Sequence, residues 1–229
     1  MRRLLQVFLI LLSATAAFAQ RTELPQLTWL RYYPEEVTRA AYEPFDRLLA
    51  EKKIIGWGVL TPMTRIDDSF SQIVYVSVRD WTEIDAVSLA LDGSNMPRGR
   101  DIVIRHVIQA ETPPAAKPRF LVVNEHPVTR GRDADAFALF NEWAKPVFLE
   151  VAAKGKLGPW GLSVQDVSID NTWTYVAWYF MSDLSALDEV RGSLMNFGLS
   201  KLLTFERRLR EMSEDDYRGR LYRVVYAAP

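Results

Sequence analysis

Apolar positions along the chain follow two rhythms, and the order in which they alternate occurs twice. Leu27 to Tyr33 and Phe120 to His126 are short, apolar, β-prone runs closed by Pro34 and Pro127. Proline ends a strand because it has no N–H to give to the ladder. Glu36 to Lys52 and Ala134 to Ala153 then carry apolar residues at helical spacing: Ala41, Phe45, Leu48 and Leu49 in one, Phe137, Phe140, Val147 and Val151 in the other. Asp133 or Asp135 is placed to cap the second of these helices. Trp57 to Thr61 and Trp160 to Gln165 predict second strands, and Gln72 to Val78 and Thr174 to Met181 third strands. Asp67-Asp68-Ser69 and Asp170-Asn171-Thr172 are the turn residues between them. Asp80 and Asp183 stand at N-cap positions of a further helix, and Asp101 to Ala110 and Leu221 to Ala227 close each unit as a fourth strand.

The two units match residue by residue over a long stretch. Shifting the chain by 103 positions lays Phe45 to Leu91 on Phe148 to Leu194 with eleven identities and no gap, among them Trp57/Trp160, Gly58/Gly161, Asp67/Asp170, Asp80/Asp183 and Asp85/Asp188. Coincidence at ordinary residue usage gives about three. Shared amphipathic patterning accounts for apolar matches, but not for a Trp-Gly pair and repeated Asp at constant spacing. The first strands align at an offset of 93 and the last at 117, so the second unit has gained ten residues before its first helix and fourteen around its second. Such insertions are expected to form a lid or a partner surface.

Strand, helix, strand, strand, helix, strand, occurring twice, predicts an α+β fold of two tandem ferredoxin-like βαββαβ repeats. Each repeat leaves one sheet face bare, and packing the two sheet to sheet as an internal pseudo-dimeric α+β barrel buries both faces. The expected organisation is a signal peptide over 1–19, a first repeat over 20–112, a Pro-rich linker over 113–118 and a second repeat over 119–229. With its duplicated βαββαβ order and its Trp57-Gly58 and Trp160-Gly161 strand starts, the chain resembles the dimeric α+β barrel superfamily, specifically its tandem-duplicated members, over about residues 25 to 229. That superfamily includes cofactor-free monooxygenases, haem-degrading enzymes, lactone isomerases, dye-decolourising peroxidases and chlorite dismutases. The fold by itself does not choose among them.

Composition narrows the classes. The chain has 229 residues, a formal charge of -1 and no cysteine. Near-balanced charge gives no electrostatic case for gripping a nucleic-acid backbone, which is driven by many basic contacts to phosphate. The absence of cysteine removes disulfide scaffolds, zinc–thiolate sites and thiol nucleophiles. Arg2 and Arg3, the apolar run Leu4 to Leu12 and Ala17-Phe18-Ala19 predict a secretory leader cleaved before Gln20. This implies a secreted or periplasmic protein with no membrane segment after cleavage.

Alternation sorts the candidate site residues, on the expectation that smooth aliphatic faces meet helices and mixed faces line the space between the sheets. It sends Trp29, Arg31 and Tyr33 of the first strand, and Val122, Asn124 and His126 of its counterpart, to the cavity. Tyr75, Trp178 and Phe180 follow from the third strands, Arg105 and Gln109 from the fourth, with Tyr222 and Tyr226 opposite those last two in the repeat. Of the two histidines, His106 shares parity with Ile104 and Ile108 and reads as structural. His126 ends a strand beside Asn124 and Glu125, where an imidazole is placed to take a substrate proton, and it is the candidate catalytic residue.

Two separated histidines without cysteine predict no metal site. Haem-degrading relatives use an Asn, a Trp and an axial His on a helix. Asn124 and Trp178 match the first two kinds of position, but no predicted helix carries a His, so no cofactor is expected. The leading reading is an exported protein that binds a small hydrophobic or aromatic molecule in an aromatic cavity between two barrel halves. The alternatives are a cofactor-independent monooxygenase or isomerase, with His126 as base, Asn124 and Arg31 as polar anchors and Trp178 and Tyr75 as walls, and a non-catalytic protein-interaction module. Assembly into a homo-oligomer is left open.

Overall fold

The computed structural model describes residues 26–63, 70–92, 94, 96, 97, 99–110, 117–166, 173–213 and 218–228. The expected leader, most of the expected linker and both expected hairpin tips lie outside the described residues. The first half runs β1 (Leu27–Tyr33), a 3-10 turn (Arg39–Tyr42), α1 (Glu43–Ala50), β2 (Gly56–Pro62), β3 (Gln72–Val78), α2 (Trp81–Asp92) and β4 (Arg100–Ala110). The second runs β5 (Phe120–Val128), α3 (Asp133–Leu139), a π turn (Phe140–Ala144), α4 (Lys145–Ala153), β6 (Leu157–Gln165), β7 (Trp173–Met181), α5 (Ser185–Met195), α6 (Leu199–Met212) and β8 (Arg218–Ala228).

Local chemistry explains where these elements begin and bend. The first helix is shorter than its apolar spacing predicts, because Pro44 lacks an N–H and fits only in the opening turn of α1. Pro146 poses the same difficulty inside the longer helix of the second half, and the π turn immediately before it absorbs the missing hydrogen bond. Gly155, at φ 70°, ends α4, and its N–H bonds the Ala152 carbonyl at 2.8 Å. Asp80 caps α2 as expected: its Oδ1 accepts from the N–H groups of Thr82 and Glu83 at 2.9 and 3.2 Å. Pro127, expected to terminate β5, lies within it. The β8 side of β5 is paired only from Phe120 to Glu125, so at Pro127 there is no N–H to supply on that side.

All eight strands pair antiparallel in one closed barrel, in the order β1-β3-β2-β8-β5-β7-β6-β4 and back to β1. The first half contributes β4-β1-β3-β2 and the second β8-β5-β7-β6. The two sheets therefore meet edge to edge, through β2–β8 and β4–β6, as well as facing each other across the barrel. Closure leaves no edge strand unpaired. Each seam carries one bulge: Val107 is the extra residue opposite β6, and Val225 the extra residue opposite β2. Both valines point outward, 39% and 59% exposed. The bulges set the correspondence of β4 and β8 at an offset of 118, which pairs Ile104 with Tyr222 and Ile108 with Tyr226 in place of the pairing expected at 117.

Three apolar clusters result. Two lie between the barrel and its helices, one per half, anchored by Trp57 and Phe45 in the first and by Trp160, Phe148 and Phe140 in the second. The third is contributed by the strands of both halves and fills the barrel interior, with Leu60, Ile73, Leu121, Val176, Trp178 and Tyr222 at its centre. The inserted α6 packs on the helix layer outside the barrel, where Phe205 lies 5.2 Å from the Trp143 ring.

Candidate functional site

The interior cluster marks the inside of the barrel. Leu30, Tyr32, Tyr75, Val123, Phe180 and Val224 pack around its centre and are only half-buried, although they point into a closed barrel. Tyr75 and Trp178 occupy corresponding positions, each directly opposite a glycine of the neighbouring strand, Gly58 and Gly161. A Cβ on Gly58 would come within 2.5 Å of the Tyr75 ring, and one on Gly161 within 2.9 Å of the Trp178 ring. The two Trp-Gly steps thus do two jobs. Trp57 and Trp160 anchor the helix side, while the following glycines leave room for an aromatic ring to lie across the strand inside the barrel.

Of the thirteen residues that alternation sends inward, Tyr75, Trp178, Phe180 and Tyr222 belong to the interior cluster, and Gln109 stands opposite Gly161 on the same face. Trp29 and Tyr33 are buried under the helices of the first half. Arg31 lies on the outer face, bonded to Asp101 at 2.6 Å with its guanidinium carbon 4.9 Å from the Trp29 ring centroid. Arg105 is also outside, bound to Asp166 through two hydrogen bonds of 2.8 and 2.6 Å. Tyr226 packs on Trp57 on the helix side, 4.6 Å between centroids. Asn124 and His126 sit opposite Ala177 and Tyr175, both in the helix-side core, and directly opposed residues of an antiparallel pair share a face. His126 therefore does not face the lumen.

The expectation that the smooth face meets the helices is inverted on β1 and β5. There the aromatic residues Trp29, Tyr33 and Phe120 serve the helix layer, and the aliphatic residues Leu30, Leu121 and Val123 line the lumen. On β4 the bulge at Val107 separates His106 from the parity of Ile108, which packs on the helix side.

His106 is the imidazole that enters the barrel, and it stands in a chain of hydrogen bonds across four adjacent strands. Its Nε2 lies 2.8 Å from Thr28 Oγ1 and its Nδ1 2.8 Å from Ser163 Oγ, and Trp178 Nε1 donates to the same Ser163 Oγ at 2.8 Å. The Trp178 ring stands edge-on to the imidazole at 5.4 Å. Ser163 is fully buried and Thr28 is 7% exposed. Burial lowers the His106 pKa to about 4, so the ring is neutral near pH 7. On the other half, the strand registers place Leu121, Val224, Leu60 and Tyr75 where this wall has Thr28, His106, Ser163 and Trp178. The lumen thus has one polar wall and one apolar wall.

A second polar group lies farther along the interior. Arg220 Nη2 is 3.5 Å from Glu125 Oε2, and its guanidinium carbon is 5.7 Å from the Phe70 ring centroid. Tyr32 meets the same Phe70 ring edge-on at 5.0 Å. Burial, helped by Tyr222 and Glu125, raises the Tyr32 pKa, and burial pushes Tyr222 up to about 12. Both phenols stay protonated at neutral pH.

Sequence reasoning missed Thr28, Tyr32, His106, Glu125, Ser163 and Arg220. The usable signal was charge. Arg31 and Arg105 each find an acidic partner on the solvent side, and reading them as outward-facing would have turned Thr28, Tyr32 and His106 inward.

The histidines give a pH signature. Desolvation lowers His106 and His126 each to about 4, against about 6.5 in the unfolded chain. As pH falls below about 6.5 the unfolded state takes up protons first, so their contribution is complete above that value and is lost towards about 4. Each contributes a slope of up to about 1.4 kcal/mol per pH unit. Thermal melts are expected to show Tm falling from pH 6.5 to 5, above the carboxylate range. His106→Asn and His126→Asn should each remove about half of that slope, whereas a flat wild-type profile would show that both rings are solvated.

Both histidines of the chain lie in strands, His106 in β4 and His126 in β5. Among the described residues no group of three His, Asp or Glu side chains is placed to hold a metal ion.

No protein-family model and no curated protein sequence matches the chain. Solved structures do match over nearly its whole length. An anthrone oxidase-like protein aligns with 90% of this chain and 94% of its own at 13% identity and a TM-score of 0.52. A candidate monooxygenase from Fusobacterium nucleatum aligns with 89% and 94% at 10% identity and a TM-score of 0.59. A mutant chlorite dismutase from Candidatus Nitrospira defluvii aligns with 88% and 92% at 7% identity and a TM-score of 0.55. These likenesses show the fold: an α+β barrel shared with these proteins, of the kind the sequence resemblance implied.

Proposed function

We propose that this chain is an exported protein that binds a small aromatic or apolar molecule in the lumen of its barrel. It is built as two tandem ferredoxin-like repeats, 20–112 and 119–229, joined by the linker 113–118 and released from the leader 1–19. The supporting observation is the half-buried aromatic surface of Tyr32, Tyr75 and Phe180 inside a closed barrel, beside the polar side chains of Thr28, His106 and Ser163. Aromatic side chains with a few convergent polar groups are the usual lining of a small-molecule site. The matching bulges at Val107 and Val225 and the paired Gly58 and Gly161 support the reading of two related halves. The alternative with His126 as catalytic base is not favoured, because His126, Asn124 and Arg31 all lie off the lumen.

Native mass spectrometry of the mature protein, purified from the periplasm of its own host, tests the reading. One bound molecule per chain is expected. It should be lost in Val123→Trp, which fills the lumen, and kept in Trp29→Phe, which alters only the helix side. A molecule retained equally by both variants would place the binding elsewhere.

A further inference from the structure

We propose that Thr28 is the hydrogen-bond donor that fixes a ligand in this lumen, and that the ligand is a flat, largely apolar, uncharged molecule bearing a carbonyl oxygen. This rests on the lumen being the binding site, and it goes further by naming the contact and the ligand chemistry.

The argument is a count of hydrogens. Trp178 Nε1, the Ser163 hydroxyl, the neutral His106 ring and the Thr28 hydroxyl bring four donor hydrogens between them. The chain that links them contains three hydrogen bonds, and the four side chains make no other hydrogen bond among the described residues. One hydroxyl hydrogen is always left over. If His106 carries its proton on Nδ1, the surplus falls on Ser163; if on Nε2, it falls on Thr28. Ser163 is completely enclosed, whereas Thr28 keeps 7% of its surface. Only the second arrangement delivers the spare hydrogen where a molecule in the lumen can accept it. A buried donor without an acceptor is costly, so an acceptor oxygen placed against Thr28 draws the whole chain into the sequence Trp178 to Ser163 to His106 Nδ1, and His106 Nε2 to Thr28 to ligand.

The same wall fixes the chemistry of that acceptor. None of its four side chains carries a positive charge at neutral pH, and Arg220 in the interior faces Glu125. A carboxylate would therefore be desolvated without compensation, while a carbonyl needs only one donor. Opposite this wall stand Leu121, Leu60 and Val224, with the Tyr75 ring beside them, which suit a flat hydrocarbon body.

The isosteric pair 9-fluorenone and fluorene, which differ by a carbonyl in place of a methylene, tests this by equilibrium dialysis. The wild type is expected to bind fluorenone about tenfold more tightly than fluorene, the worth of one buried hydrogen bond. Thr28→Val should abolish that preference while leaving fluorene affinity unchanged, and Thr28→Ser should restore it. In ¹⁵N spectra fluorenone should drive His106 to the Nε2–H form in the wild type and in Thr28→Ser. Equal binding of the two probes by the wild type, or a preference that survives in Thr28→Val, would overturn the assignment to Thr28 and leave the lumen reading standing. Binding of neither probe would remove the lumen reading and this inference with it.

Discussion

Replacing Gly161 with alanine is expected to lower the unfolding free energy by about 3 kcal/mol, towards the upper end of what overpacking costs. For a chain of this size that corresponds to a fall in Tm of about 6 to 12 °C. A Cβ at this position would stand 2.3 Å from the Ile108 carbonyl oxygen and 2.9 Å from the Trp178 ring. The first obstacle is backbone of the bulged seam strand and cannot rotate away. The second is the ring whose N–H reaches Ser163 at 2.8 Å. The substitution should therefore change the near-ultraviolet circular dichroism of Trp178 as well as the melting temperature. Gly58→Ala should behave alike, since its Cβ would meet the Tyr226 carbonyl and the Tyr75 ring, each at 2.5 Å. A loss of less than 2 °C in both variants would mean that the seams yield more readily than close packing allows.

Trp160→Ala should cost about 3 to 5 kcal/mol, the range for deleting a large buried aromatic. Trp160 is 1% exposed and lies 5.5 Å from Phe148 and 6.5 Å from Phe140, so it joins β6 to the helix layer of the second half. Its indole N–H is buried without a hydrogen-bond partner among the described residues. Trp160→Phe removes that unpaired donor along with part of the ring, and it should cost well under half as much as the alanine. Urea unfolding of the two variants separates the contributions. Equal losses would show that the indole N–H has a role that the packing does not reveal.

Element order was legible because each element depends on local chemistry. Strand runs, Asp80 as a cap and the Trp-Gly pairs were visible without any knowledge of neighbours. The side on which a strand residue falls depends on what covers each face, and that is not local. Arg105 lies on the seam strand β4 and faces outward with Asp166, and Arg31 on the neighbouring β1 reaches across the outer face to Asp101 of β4. Trp29 and Tyr33 of β1 went to the helix layer because α1 and α2 offer Phe45 and Leu91 to pack against. On β4 and β8 a single bulged valine shifted the register by one residue, enough to put Tyr226 outside the lumen and His106 in it. No pattern of apolar residues announces such a bulge in advance.

A barrel assembled from two identical chains must present every lumen residue twice, so an unsymmetrical guest can enter it in two equivalent orientations. Here Thr28, His106, Ser163 and Trp178 occur on one wall, with Leu121, Val224, Leu60 and Tyr75 in their places on the other. A single chain that supplies both walls removes that degeneracy. On the proposed reading, a molecule with one polar edge would have one pose inside this barrel, and the two faces of its ring system would become distinguishable to the protein.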